Sequence, residues 1–280
     1  MAQNSSIEWT DHTFNPWWGC TKVSPACLHC YAESWAKRVG QKVWGPQSPR
    51  RFFGDAHWLE PLRWDAEAAA SRVRRRVFCA SMADVFESRP ELAGEREKLW
   101  GLIDLTPHLD WLLLTKRPQN ILRFAPWSTE WPNNVWLGTT VENQYWAEVR
   151  LPLILQIPAR LRFLSCEPLL GPLSLAKWIS RRPKKLHPID WVIAGGESGP
   201  KARVMLPSWA LDLRDQCDDA GIPFHFKQWG HWAPANQGST SATEFWDEVK
   251  HTSIKMEPLG KKLAGRFLDG TTWDDIPDAA

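Results

Sequence analysis

The strongest constraint on this chain is a repeated pattern: short apolar runs stop abruptly at polar or charged residues and give way to helix-length segments. The runs are Val77–Ser81, Asp110–Thr115, Val135–Thr140, Leu161–Cys166, Asp190–Gly195 and Pro223–Lys227, with a further strand expected near residues 7–14. Near-continuous apolar strands, rather than alternating ones, belong to a parallel sheet buried on both faces. Parallel neighbours also need crossover connections of helical length. Helices are expected at 31–40, 91–104, 143–150 and 207–220, the last opening at Pro207-Ser208 and closing at Gly221. This alternation over 280 residues predicts fold class α/β, a partial (β/α) barrel of about six to seven parallel strands with a C-terminal extension, in preference to a doubly wound sheet.

The text changes near residue 233. Residues 1–232 are expected to form the barrel, with a cysteine-cluster loop at 20–30. Residues 233–280 are expected to form a polar excursion, Pro234–Ser253, and a C-terminal hairpin over Gly260–Gly270, packed on the barrel. Residues 41–64 read as irregular, with aromatic rings among prolines and glycines.

Composition excludes several classes. A hydrophobic fraction of 43% is incompatible with disorder. Thirty-four Lys and Arg against 32 Asp and Glu leave a net charge of +2, so no global field favours nucleic acid or membrane, and any such binding must come from a local patch. The amino terminus has no basic segment followed by an apolar run, and stretches such as Trp111–Leu114 are far too short to span a bilayer. A soluble, cytoplasmic protein is expected. Six cysteines in this length make no disulfide scaffold, and Cys79, Cys166 and Cys217 read as buried thiols. Twenty tryptophans against two tyrosines are expected to serve mainly as packing.

The residues that follow the strands are more informative than the strands. Asp84, Lys116-Arg117, Glu142, Glu167, Glu197 and Lys227 come at or after successive strand ends, which in a parallel barrel form the carboxyl rim where reactive groups gather. Charges of both signs there suit a zwitterionic ligand or a polar substrate.

Cys20, Cys27 and Cys30 lie within eleven residues, between the first expected strand and a helix. A closing Cys-x2-Cys is a common ligand pair, because two residues of turn bring both sulfurs to one side. Structural zinc wants four ligands, and His12 or His29 is available as the fourth. Three thiolates on an iron–sulfur cubane instead leave one iron with an open coordination position. Soft thiolates suit both metals.

Three cysteines ending in Cys-x2-Cys ahead of a partial barrel resemble the radical S-adenosylmethionine superfamily. The run Glu8-Trp9-Thr10…Asn15-Pro16-Trp17-Trp18-Gly19-Cys20, with Gly195-Gly196-Glu197-Ser198-Gly199 and the Gly260–Trp273 ending, resembles more narrowly a phage-associated family of uncharacterised three-cysteine proteins. The resemblance implies a 4Fe–4S cluster on Cys20, Cys27 and Cys30, S-adenosyl-L-methionine chelated to its open iron, and a 5′-deoxyadenosyl radical that abstracts hydrogen from a substrate. It further implies cofactor contacts. Ser81 and Asp84 would receive the methionine ammonium, Lys116 or Arg117 the carboxylate, and Glu142 the ribose hydroxyls. Gly195 and Gly196 would allow close backbone approach, and Thr140 and Glu197 complete the cofactor-binding set. An electron donor such as a flavodoxin or ferredoxin is the implied partner. The gap between the first two cysteines is six residues here, against three in the superfamily's usual motif, and Gly-Gly-Glu sits on a late strand rather than on the one after the cysteine loop.

The substrate is unassigned, with a nucleic-acid base among the candidates. Two basic runs, Arg72–Arg76 and Arg181–Lys185, precede strands and are expected on the far face as solvated loops, whereas Lys201, Arg203 and Lys227 fall on the rim. Two other classes stay open. One is a non-enzymatic zinc- or cluster-stabilised nucleic-acid-binding module. The other is a glycosidase-like barrel using Glu142 and Glu167, which leaves the cysteines unexplained.

Overall fold

The computed structural model describes residues 2–127, 129–179, 189–236 and 239–278. One sheet carries β1 (Ala2–Gln3), β2 (His12–Thr13), β3 (Arg75–Cys79), β4 (Leu109–Thr115), β5 (Val135–Thr140), β6 (Leu161–Cys166), β7 (Trp191–Gly195) and β8 (Phe224–Gln228), in that order. The short β1 is antiparallel to β2, and from β2 onward the strands are parallel. Parallel strands in unbroken chain order are those of a (β/α) barrel, whereas a doubly wound sheet reverses its order at a switch point. The fold class is α/β, of the partial (β/α)-barrel kind.

The connections carry α1 (Tyr31–Arg38), α2 (Asp55–Trp58), α3 (Glu60–Ser71), α4 (Ala93–Asp104), α5 (Ile121–Phe124), α6 (Gln144–Ile154), α7 (Ala176–Ile179) and α8 (Pro207–Ala220), with α9 (Lys261–Ala264) near the end. All four expected helices are present as α1, α4, α6 and α8. Helix α8 ends where a left-handed Gly221 (φ 67°) takes the conformation that side-chain-bearing residues resist. Of the irregular segment expected over 41–64, residues 41–54 are irregular as expected, but helices α2 and α3 replace the irregular text from residue 55 onward: Pro61 opens α3 and three consecutive alanines sustain it.

The polar stretch after residue 233 is part of a second, antiparallel sheet of β9 (Trp232–Pro234), β10 (Thr243–Asp247) and β11 (Thr252–Pro258), with β11 in the middle. The hairpin expected over Gly260–Gly270 is replaced by the helical turn α9 and a single bridge between Leu268 and Thr271. Lys261-Lys262-Leu263-Ala264 are good helix formers with no period-two alternation to hold a strand.

Contacts divide the chain into two compact units. The first comprises residues 1–24, 32–139 and 152–162; the second comprises 25–31, 140–151 and 163–280. In the first, Trp9 packs on Phe78 (4.7 Å between ring centres), Phe14 meets Trp111 edge-on (5.7 Å) and His12 stacks on Trp64 (4.5 Å). In the second, Phe163, Ile193, Leu213 and Phe226 are fully buried, and Trp191 keeps its indole N–H satisfied by the Asp275 carbonyl at 2.9 Å. Most tryptophans are core residues, as the composition suggests, because a large ring removes much apolar surface from water. Cys79, Cys166 and Cys217 are buried and free, and burial raises the pKa of all three thiols. Among the described residues no helix is long and apolar enough to cross a membrane.

The first basic run is not a free patch. Arg74 pairs with Asp110 at 2.8 Å, while Arg75 and Arg76 reach Asp11 at 3.7 and 3.3 Å, and the last two already belong to β3. The second run, 181–185, lies outside the described residues.

His12 carries a pH dependence. Burial lowers its pKa below 6.5, and its Nδ1 accepts the Asn4 backbone N–H at 3.4 Å, a bond that protonation at Nδ1 would abolish. His57, half-buried and stacked on Phe53, is lowered in the same direction by the part of its surface that is buried. Groups depressed in the folded state bind more protons when unfolded, so stability is lost as pH falls through about 6.5 and levels off below the folded pKa values. Melting temperature should therefore drop between pH 7.5 and 5.5, less steeply in His12→Asn. Parallel pH profiles of the two proteins would refute the assignment.

Candidate cysteine-loop site

The cysteine loop leaves β2, the first parallel strand, and ends at α1. Its first part belongs to the first unit. Gly19 (φ 115°) turns the chain there, and its N–H donates to the Met82 carbonyl at 3.0 Å. A Cβ at Gly19 would lie 2.3 Å from the Val43 carbonyl oxygen, so no side chain fits. The next residue, Cys20, is half-buried, and Arg117 Nη1 donates to its sulfur at 3.5 Å. Burial pushes the Cys20 thiol up to about 12, against the opposing pull of Arg117.

Thr21 is held twice. Arg117 Nη2 donates to its carbonyl at 2.5 Å, and Arg50 Nη2 donates to its Oγ1 at 3.0 Å. Arg117 is itself paired with Asp84 (2.8 Å), and buried Arg50 makes a two-point pair with Glu87 at 3.0 and 2.8 Å. Burial alone would lower the Arg117 guanidinium's pKa, but Asp84 and the Cys20 sulfur outweigh it and raise it.

Asp84 is more fully committed than a ligand-receiving carboxylate. Its Oδ1 accepts from Thr115 Oγ1 (2.7 Å) and the Phe86 amide (3.0 Å), and its Oδ2 from the Lys116 amide (3.1 Å) and Arg117 (2.8 Å). Ser81 Oγ bonds the Asn15 side chain at 3.1 Å. The Lys116 side chain has no ion-pair partner among the described residues, which distinguishes it from Arg117.

The second part of the loop, with Cys27 and Cys30, belongs to the second unit. A 3-10 turn over Pro25–Cys27 is closed by Leu28 N–H donating to the Pro25 carbonyl at 3.0 Å. Glu142, just past β5, is fully buried. Its Oε1 accepts the Ala26 amide at 3.3 Å, and its Oε2 accepts Arg150 Nη1 at 2.7 Å. Arg150 comes from α6, which Asn143 caps through the Trp146 amide at 3.1 Å, and the Trp146 ring covers the Arg150 guanidinium at 4.1 Å.

Glu197, just past β7, accepts Arg203 Nε at 2.9 Å and Nη2 at 2.5 Å, while the same Nη2 donates to the Pro25 carbonyl at 3.0 Å. Arg203 is thus engaged inside the unit, whereas Lys201 is exposed. Glu167 pairs with Lys227 at 2.8 Å.

Gly196 permits a close approach, and its partner is the chain itself. A Cβ there would lie 1.9 Å from the Trp229 carbonyl oxygen, while Gly230 (φ 86°) faces Glu197 from the other side. This crossing of backbones places Glu197. A Cβ at Gly195 would sit 3.1 Å from Glu167 Oε1. With Glu142 held by Arg150 and Glu167 by Lys227, neither stands as a free acid or base of the glycosidase kind.

Reading along the strands identifies Asp84, Arg117, Glu142 and Glu197 but neither Arg150, the partner of Glu142, nor the Arg50–Glu87 pair that holds Thr21. Each partner comes from another element, with no local spacing that signals the pair.

The donor chemistry suits a soft metal. Cys20, Cys27 and Cys30 are half-buried and form no disulfide, and the chain confines them to eleven residues. Among the described residues no group of three or more His, Cys, Asp or Glu side chains already stands at metal-binding separation. Two buried polar atoms near strand ends in the second unit, Thr140 Oγ1 and Gln228 Oε1, have no hydrogen-bond partner among the described residues. Unsatisfied buried groups of this kind fit a polar ligand, because leaving them unpaired costs free energy.

Comparison with known proteins yields one family model, described as "Protein of unknown function (DUF5131)", which matches residues 4–277. No curated protein and no solved structure matches the chain.

Proposed function

We propose that this chain, which belongs to the DUF5131 family, is a radical S-adenosylmethionine enzyme. The observation that carries the reading is the cysteine loop itself: three thiols outside any disulfide, between the first parallel strand and the first helix of a sheet in barrel order. In this reading Cys20, Cys27 and Cys30 hold a 4Fe–4S cluster. When bound, the cluster supplies the electron that cleaves the cofactor's sulfonium to methionine and a 5′-deoxyadenosyl radical.

The chain's own residues then divide by availability. Lys116, free of ion pairs among the described residues, neutralises the cofactor carboxylate, and Ser81 receives the ammonium. Thr140, whose buried hydroxyl has no partner among the described residues, bonds a ribose hydroxyl, and Gly195 lies beside the adenine. Arg117 and Asp84 act one step back, by holding the Cys20 turn. The substrate is one from which a carbon-bound hydrogen is taken, a nucleic-acid base being one class. A flavodoxin or ferredoxin supplies the electron, and the compartment is the cytoplasm.

The test is anaerobic reconstitution, chemical reduction and addition of S-adenosylmethionine. Methionine and 5′-deoxyadenosine should appear in equal amounts. Lys116→Ala should weaken cofactor binding about ten- to a hundredfold without changing iron content, since a charge-assisted hydrogen bond contributes roughly 1.5–3 kcal/mol. Iron-loaded, reduced protein that forms no 5′-deoxyadenosine would overturn the proposal.

A further inference from the structure

Two of the ion pairs past strand ends converge on a single peptide group. The Pro25–Ala26 peptide presents its N–H to Glu142 at 3.3 Å and its carbonyl to Arg203 at 3.0 Å, and both contacts lie within the second unit. Each gripping residue is backed by an opposite charge, Arg150 behind Glu142 at 2.7 Å and Glu197 behind Arg203 at 2.5 Å. We infer that Glu142–Arg150 and Glu197–Arg203 form a charge clamp on the Pro25–Ala26 peptide that positions Cys27 and Cys30. The inference rests on the proposed role of those thiols as metal ligands and gives the two carboxylates a positioning task.

The physical case is one of sign. A peptide group is a dipole with its positive end at N–H and its negative end at C=O. Here the anion faces the N–H and the cation faces the oxygen, so both ends are held in the favourable sense. The Pro25 carbonyl uses both acceptor positions, one for Arg203 and one for the Leu28 amide that closes the 3-10 turn. Fixing the peptide plane therefore fixes the turn that carries Cys27 and leads into Cys30.

The arrangement is costly to build, since a carboxylate with no exposed surface must be compensated. A surface loop with no task would be anchored more cheaply by neutral caps. Neither Glu142 oxygen is left without a partner, which is what a positioning residue requires. Glu197 is engaged in the same way through both oxygens and is placed by the Gly196–Gly230 crossing.

The clamp is testable without any metal, by measuring alkylation of each cysteine in the reduced full-length protein with mass-spectrometric mapping. Arg203→Ala should raise the rates at Cys27 and Cys30 roughly tenfold, the scale of one lost charge-assisted hydrogen bond. Arg203→Lys, which keeps a donor, should recover most of the protection. Glu142→Gln, which keeps an acceptor for the Ala26 N–H but loses the charge, should give a smaller rise. Cys20, held through Thr21 by Arg50 and Arg117, should not change, nor should buried Cys79, Cys166 and Cys217. Unchanged rates at Cys27 and Cys30 in both Arg203→Ala and Glu142→Gln would overturn the clamp. So would an equal rise at Cys79 and Cys166, which reports global loosening. If Arg203→Ala does not fold, Arg203→Lys and Glu142→Gln carry the same comparison. Because iron plays no part in the measurement, a chain that never binds a cluster leaves the clamp standing, and a failed clamp leaves the cluster to be judged on the unaltered protein.

Discussion

Alanine at Cys20, Cys27 or Cys30 should each remove essentially all bound iron and sulfide from anaerobically prepared protein. The unaltered chain should carry about four irons, in keeping with one three-thiolate cubane. The effect is all-or-none because such a cluster has no spare protein ligand: losing one thiolate exposes a second iron to solvent, and the cluster falls apart. Alanine at Cys79, Cys166 or Cys217 is the matched control. Those thiols are buried with raised pKa values, so their loss costs some packing and leaves the iron unchanged. Iron and sulfide analysis beside the optical spectrum reads out all six variants. Stoichiometric zinc with no iron after reconstitution would favour the zinc-stabilised module instead, and full iron retention in Cys27→Ala would remove that thiol from the ligand set.

The second large effect is on stability. Arg150→Met should cost about 3–5 kcal/mol, because among the described residues it leaves the interior Glu142 carboxylate only the Ala26 amide to compensate it. For a chain of this size that corresponds to a fall in melting temperature of roughly 10 °C. The side chains of the pair are 1% and 0% exposed, so solvent screening offers no relief. Combining Arg150→Met with Glu142→Gln should recover much of the loss, since the penalty lies in the orphaned charge rather than in the missing attraction. Thermal melts of the two single variants and the double would separate these contributions. A loss below about 1 kcal/mol for Arg150→Met would put this pair among those that contribute little.

Several features of the fold were legible residue by residue. The runs ending at Thr115, Thr140, Cys166 and Gly195 became β4, β5, β6 and β7 with the same carboxyl ends, because a strand buried on both faces must be apolar almost throughout. Strand β3 begins and ends two residues earlier than the apolar run Val77–Ser81. Arg75 and Arg76 look like loop residues until Asp11 is brought beside them as a counter-charge. Helix α3 was hidden because its proline and tryptophan resemble the irregular text before it, although Pro61 is a start signal and Ala68-Ala69-Ala70 sustains the helix.

By itself, the sequence determined which chemistry is available and where along the chain it lies: three soft thiols in one loop, and carboxylates and cations at the ends of apolar strands. These are local properties, since ligand type, spacing and strand periodicity survive in any neighbourhood. Tertiary structure alone decided which of those charges remain available. Asp84 was given to Arg117, Glu167 to Lys227, Glu197 to Arg203 and Glu142 to Arg150, and two of these pairs were turned onto the peptide ahead of Cys27. The reason is that an ion pair depends on distance through space and on exclusion of water, and neither follows from separation along the chain.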